Sequence, residues 1–450
     1  MTADQSYVAA TAAVIVGLLA VQVWRKAFDP FAPVWLFLVG YFHLYVIQAV
    51  ALREWAVDVR GGELVEAANL RAFWALLWYL AAYYCGAGKL LARHAPRPPG
   101  AWSGGVVTIL GPALIAWGLY CAYAVIRQGS GEDAAEVSAE LVIFRSFPFV
   151  MLVAGVLLVV TKNRAAYAAG IGVIALYVLI WTFNGKRSHS VIGVLAGVCA
   201  VYVARRKRPS WPVLLGTACV GSMVVALAIG WRNADRFDRT VSGFIEYLSE
   251  FKPSSVLASL NIEDADEDGA IGPGAYKTYE TEEYGGFLVM LDTVPEKSEY
   301  DYGENYLRCF STYIPRPLWP TKPLFGRTQW LGAWVAGSEL KRDDDFTGPA
   351  IGVLGAAQLN GGAVGTLVVL AVLALGHRTA YEYFLRYPGV PIVQAFWALT
   401  YYNAWMQVAN DDPMVWFYYN WGLTCLPVFA GLWVVNSVGG APARPVVAAA

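Results

Sequence analysis

The chain has 450 residues, 57% hydrophobic and only 15% charged, with 33 basic against 34 acidic side chains and a net charge of −1. Soluble domains carry about 25% charged residues, so this composition, with a mean hydropathy of +0.45, excludes an ordinary water-soluble enzyme and reads as an integral membrane protein. The balanced charge also excludes a bulk electrostatic preference for nucleic acid.

A spanning helix needs about 20 mostly apolar residues. By that criterion spans are expected at roughly 6–24, 31–52, 71–92, 104–127, 144–161, 165–184, 188–204, 211–231, 351–376, 391–409 and 415–437. The expected fold is all-α and polytopic, with about eleven transmembrane helices and one large extracytoplasmic loop between helices eight and nine. Helices one to eight fall in 1–231, the loop in 232–350, and helices nine to eleven with a short cytoplasmic tail in 351–450. The first apolar run ends in Trp24-Arg25-Lys26 without a preceding basic region or a small-residue cleavage site, so it is expected to be a retained span. The 18 Trp and 26 Tyr fit aromatic belts at the two interfaces. Of the six cysteines, Cys85, Cys121, Cys199, Cys219 and Cys425 lie in apolar segments and only Cys309 lies in the large loop. No CxxC or His/Cys grouping suggests a metal site, and no cofactor is expected.

Cationic loops alternate along the chain. Arg25-Lys26 follows span one; Lys89, Arg93, His94 and Arg97 follow span three; Lys162 and Arg164 follow span five; Arg205-Arg206-Lys207-Arg208 follows span seven; Arg378 and Arg386 follow span nine. The intervening loops are acidic or mixed. The positive-inside rule then predicts the amino terminus outside, the carboxyl terminus inside and the large loop outside. Lys186-Arg187, between spans six and seven, breaks the pattern. Cations on the outer boundary either snorkel at the interface or serve a ligand. Asn184-Gly185-Lys186-Arg187-Ser188-His189 is dense in donors, and its glycine suits a tight turn.

The loop carries about 21 acidic and 12 basic residues, a count that a solvated surface explains. Glu263 to Asp268 lacks the spaced ligands and final glutamate of a calcium loop. Arg232, Arg236 and Arg239 recur at i, i+4 and i+7 past span eight and share one helix face, where Asp235 and Asp238 could pair with them. The alternative is an anion clamp, since Arg binds phosphate bidentately. Farther on come Tyr302-Gly303-Glu304-Asn305-Tyr306, Arg308 and the run Ile314-Pro-Arg-Pro-Leu-Trp-Pro-Thr-Lys-Pro323. Four prolines stiffen that run around Arg316 and Lys322, and Trp319 can anchor it at the interface. It is either a rigid connector or a preorganised anion site. The small residues of Asn360-Gly361-Gly362-Ala363-Val364-Gly365 suggest close helix packing.

Taken together, the late outer loop, Asn184 to His189, Trp231 to Arg236, Tyr302 to Tyr306 and above all Ile314 to Pro323 resemble the bacterial Wzy family of O-antigen and exopolysaccharide repeat-unit polymerases. The resemblance implies a membrane-embedded, inverting, metal-independent glycosyltransferase of the C type in the bacterial inner membrane, active on its extracytoplasmic face. It would transfer a growing glycan from undecaprenyl diphosphate to an incoming lipid-linked repeat unit. Flippase and chain-length regulator proteins would be further partners. Fixed cations aimed at the diphosphate would stabilise the leaving group. Arg187, Arg232 and Arg316 are the first choices, with Lys186, Arg236, Arg308 and Lys322 beside them and His189, Tyr306 and Trp319 contacting substrate. Glu304 is the chosen general base, with Asp292, Glu282 and Glu283 open. Two rival classes are a ligase or other transferase using the same lipid donor, and a flippase or transporter. The last should show internal repeats and discontinuous helices.

Overall fold

The structure, a computed structural model, describes residues 2–127, 148–161, 163–232, 234, 237–238, 240–252, 283–304, 306, 318–319, 351–409, 422, 424–438 and 441–446. The described elements are helices, and seven of them are long and apolar enough to cross a membrane. In chain order these are α1 (Ala3–Trp24), α2 (Pro33–Ala51, with a π turn at His43–Gln48), α3 (Arg53–Arg60), α4 (Gly62–Tyr84), α5 (Ala87–His94), α6 (Gly104–Arg127), α7 (Phe149–Val160), α8 (Arg164–Phe183), α9 (Arg187–Ala204), α10 (Trp211–Arg232), α11 (Val241–Glu250), α12 (Glu283–Thr293), α13 (Gly352–Arg386), α14 (Pro391–Ala398), α15 (Asn403–Ala409) and α16 (Leu426–Ser437). The seven are α1, α2, α6, α8, α9, α10 and α13.

Burial is inverted relative to a soluble protein. Large apolar side chains are exposed along α1, α6 and α10, including Val16, Ile109, Tyr120, Leu215 and Val220, and only 6% of the apolar window of α10 is buried. Such surface suits lipid, where exposing Val or Leu costs nothing. At the centre, all twelve residues of α7 are buried between neighbours that include α6, α8 and α9. Glycines set that packing: a Cβ on Gly170 would lie 2.6 Å from the Gly155 carbonyl, and one on Gly118 2.8 Å from Met151 Cβ.

Charged contacts gather at two opposite ends. At one, Arg53 pairs with Asp4 at 2.7 Å, Gln48 Nε2 donates to Glu283 at 2.8 Å, and Arg60 reaches Asp292 at 3.3 Å. At the other, Arg208 pairs with Asp29 at 2.7 Å, the Tyr381 hydroxyl donates to Asp29, Arg378 pairs with Glu382, and the Val446 N–H donates to the Arg386 carbonyl. The expected alternation of loops assigns the residues in each set to one side.

Three elements depart from the expected spans. The third expected span, α4, begins at Gly62 rather than near 71, because Glu63 and Glu66 lower the hydropathy without breaking the helix. It stops at Cys85-Gly86, where φ of +86° at Gly86 ends the regular turn. The 391–409 segment is two short helices separated by Leu399–Tyr402. Within 232–350, α12 is a buried apolar helix: Tyr284, Phe287, Leu288, Val289 and Met290 are all sealed against α4 and α13. This part of the polar stretch belongs to the core.

Candidate functional site

Two groups of residues stand at the Asp4 end. The first is built on α8, α9 and α10. At the end of α8 the Lys186 N–H donates to Trp181 O at 2.9 Å and the Gly185 N–H to Thr182 O at 3.0 Å, with Gly185 at φ +66°. These are the two bonds of a Schellman motif, which ends a helix through a left-handed glycine. Thr182 and Ser190 hydroxyls lie 3.2 Å apart beneath it, and Ser190 donates to Lys186 O at 3.2 Å. Lys186 and Arg187 are therefore exposed on a rigid turn. His189 is half-buried, stacked on Trp181 at 4.6 Å, with Nδ1 3.3 Å from Ser188 Oγ.

The Schellman bonds do not use the Phe183 carbonyl. Trp231 on α10 supplies its partner, donating Nε1–H at 2.6 Å. Trp231 also stacks on Phe183 and packs on Phe244 and Tyr247 of α11, whose hydroxyl donates to Leu227 O at 3.3 Å. The backbone of Arg232, the last residue of α10, thus lies next to the Arg187 turn. The side chain of Arg232 is not among those described.

The second group is built on α4, α12 and the start of α13. Helix α13 is broken at Gly361 and Gly362, which hold non-helical angles of (166°, 27°) and (59°, −132°). Before the break, residues 352–360 are buried. The Leu354 N–H donates to the Tyr45 hydroxyl at 3.2 Å and Gln358 accepts from Arg71 at 2.8 Å. Tyr45 and Arg71 stand at similar height, because Tyr41, one turn from Tyr45, donates to Ala72 O at 2.6 Å. After the break α13 descends along α4, with Trp78 Nε1 on Leu367 O at 2.8 Å and Tyr79 on His377 at 2.9 Å.

Residues 294–304 lie over the break. Gln358 Nε2 donates to Val294 O at 2.6 Å, the Asp301 N–H to Leu359 O at 2.9 Å, and the Gly303 N–H to Asn360 Oδ1 at 2.9 Å. Glu304 is exposed at the edge of this seat, its N–H on Asp301 O at 2.8 Å, and Tyr306 is half-buried. Asp292 is engaged by Arg60 and by Lys297 at 2.8 Å. Glu283 is held by Gln48, and the phenol of Tyr284, pushed up by burial, stays protonated and donates to Asn69 at 2.8 Å.

Of the sequence-predicted residues, Lys186, Arg187 and His189 share the first group with the Arg232 backbone, and Glu304 and Tyr306 belong to the second. Trp319 is exposed. Arg236, Arg308, Arg316, Lys322 and Glu282 lie outside the described residues. Sequence reasoning missed Arg71, Tyr300, Gln358 and Asn360; the Gly361-Gly362 pair was their only signal. No family model matches the sequence, no curated protein matches it, and no solved structure matches its fold.

Proposed function

We propose that the chain is an eleven-span repeat-unit polymerase of the bacterial inner membrane, with its amino terminus and residues 232–350 outside and its carboxyl terminus inside. In this reading it transfers a growing glycan from undecaprenyl diphosphate to a hydroxyl of an incoming lipid-linked repeat unit, with inversion and without metal. Arg187, Arg232 and Arg316 neutralise the departing diphosphate, assisted by Lys186, Arg236, Arg308 and Lys322; Glu304 takes the acceptor proton. The observation that carries the reading is the Trp231–Phe183 hydrogen bond, which joins the Arg187 turn to the end of α10. Cations held on preorganised backbone need little reorganisation as negative charge develops.

The break in α13 favours a second reading, a flippase or transporter of a polyprenyl-linked glycan, since discontinuous helices line transporter sites. Profiling lipid-linked glycans in a deletion strain separates the classes. Loss of a polymerase leaves single repeat units, loss of a ligase leaves long lipid-linked polymer, and loss of a flippase traps single units on the cytoplasmic face. Complementation with Arg316→Ala should restore membrane insertion but not polymer; full-length polymer from that variant would remove Arg316 from the mechanism.

A further inference from the structure

Four arginines of the described residues pair with a carboxylate, and the contrast singles out the half-buried Arg71. Arg53 pairs with Asp4, Arg60 with Asp292, Arg208 with Asp29 and Arg378 with Glu382. Among the described residues no carboxylate lies within ion-pair distance of Arg71. Its guanidinium is half-buried, donates once to the neutral Gln358 Oε1 at 2.8 Å, and lies 5.8 Å from the Trp74 ring. A guanidinium has five N–H donors, so most of this one's capacity is unused by the described residues. Half-buried charge without a counter-ion is costly and is retained where a ligand supplies the opposite charge.

Tyr300 is the second observation. Its hydroxyl makes no hydrogen bond to a described residue, yet it is held in place. The oxygen sits 2.7 Å from where a Cβ on Gly362 would be, and the ring packs on Tyr302 at 5.9 Å and against the Val289–Met290–Ile351 cluster. Arg71 and Tyr300 are both fixed at the same break, Arg71 through Gln358 and Tyr300 beside Gly362. Gln358 cannot turn away, because its amide nitrogen is fixed on Val294 O. A cation and a hydroxyl that no described residue engages are thus positioned at one helix break.

Height and access specify the ligand. The Tyr7 ring near the start of α1 lies 6.4 Å from that of Phe73, so Arg71 stands where the apolar length of α1 begins, at headgroup level. The adjoining faces of α4 and α13 expose Leu70, Leu77, Trp78, Val364 and Val368, which is lipid-facing surface. We propose that Arg71 and Tyr300 form a phosphate-binding site, open sideways to the membrane, that takes the phosphate group of a lipid. The site lies on the seat whose edge carries Glu304, and its lipid binding stands on its own whatever the chain's reaction proves to be.

The test uses the full-length protein in nanodiscs and three probes: undecaprenyl diphosphate, phosphatidylglycerol and inorganic diphosphate. Bound probe is counted by native mass spectrometry. Arg71→Gln should weaken binding of the lipid phosphates by about tenfold, Arg71→Lys by less, and Tyr300→Phe by about threefold, as loss of charge-assisted and neutral hydrogen bonds predicts. Weakening of undecaprenyl diphosphate alone identifies a polyprenyl ligand, and weakening of phosphatidylglycerol as well identifies a general headgroup site. Weakening confined to inorganic diphosphate would overturn the lateral lipid route, and unchanged affinity of Arg71→Gln for all three would overturn the site. If Arg71→Gln does not fold, Tyr300→Phe decides alone, and unchanged lipid affinity refutes the proposal. A deletion strain with normal glycans would sink the polymerase reading but leave this binding result untouched.

Discussion

Trp231→Phe tests whether the end of α10 is tied to the Lys186–Arg187 turn by a hydrogen bond or only by ring packing. The substitution keeps an aromatic ring among Phe183, Phe244 and Tyr247 and removes only the indole N–H and part of the ring. The Schellman motif leaves the Phe183 carbonyl with no partner of its own, so deleting the donor orphans an acceptor beside a side chain only 2% exposed. The hydrogen bond itself is worth about 1 kcal/mol, and leaving a buried acceptor unsatisfied costs about 1–3 kcal/mol. Trp231→Ala adds a cavity and should cost about 3–5 kcal/mol. Reversible unfolding in detergent, followed alongside polymer length in a complemented deletion strain, reads both consequences. Trp231→Phe should lose stability by about 1–3 kcal/mol and shorten or abolish polymer at normal protein level. A Trp231→Phe protein as stable and as active as the parent would show that the hydrogen bond neither holds the turn nor matters to the chemistry.

Glycine substitutions probe the packing. Gly40→Ala puts a Cβ 2.7 Å from Trp405 Cδ1 and should lower stability by about 1–3 kcal/mol, whereas Gly17→Ala, with nothing within 4 Å, should leave the melting temperature unchanged. Gly362→Ala combines φ of +59° and ψ of −132° with a contact on the Tyr300 hydroxyl, so it should cost at least the ~1–3 kcal/mol of such strain, while Gly361→Ala should cost less; thermal unfolding of the pair makes the comparison. Asp29→Asn removes the partner of the partly exposed Arg208 and weakens the bond from Tyr381, for an expected loss of about 1–2 kcal/mol in a denaturant titration.

How much of this was legible in sequence depends on how local each cause is. The turn at 184–189 was readable, because a glycine followed by Lys-Arg where the charge alternation expects no cations is a local signal, and the backbone bonds there form a tight turn. The partner of that turn was not, because nothing near Trp231 says that its indole meets a carbonyl 48 residues earlier. Hydropathy located the long spans but misplaced the start of α4, since a helix can run past the membrane on Glu63 and Glu66. It also treated Phe287-Leu288-Val289-Met290-Leu291 as part of a polar loop, because five apolar residues are too few to span and their burial is a tertiary event. Gly361-Gly362 looked like a packing surface, and only backbone angles show that it ends one helix and starts another. Arg71 read as the first residue of a span; that no described carboxylate pairs with it is visible only once its neighbours are in place.

The contrast between α7 and α10 bears on how this sequence can drift. Every residue of α7 is enclosed, so its substitutions are limited by volume as well as by polarity: Gly155 has no room for a methyl group beside Ile174. Most of α10 touches lipid and needs only to stay apolar and helical until it reaches Trp231. Homologues should therefore vary freely along 211–226 while keeping side-chain size at nearly every position of 149–160. The shorter helix would then be the more informative stretch for finding distant relatives, although it falls short of the length that crosses a membrane.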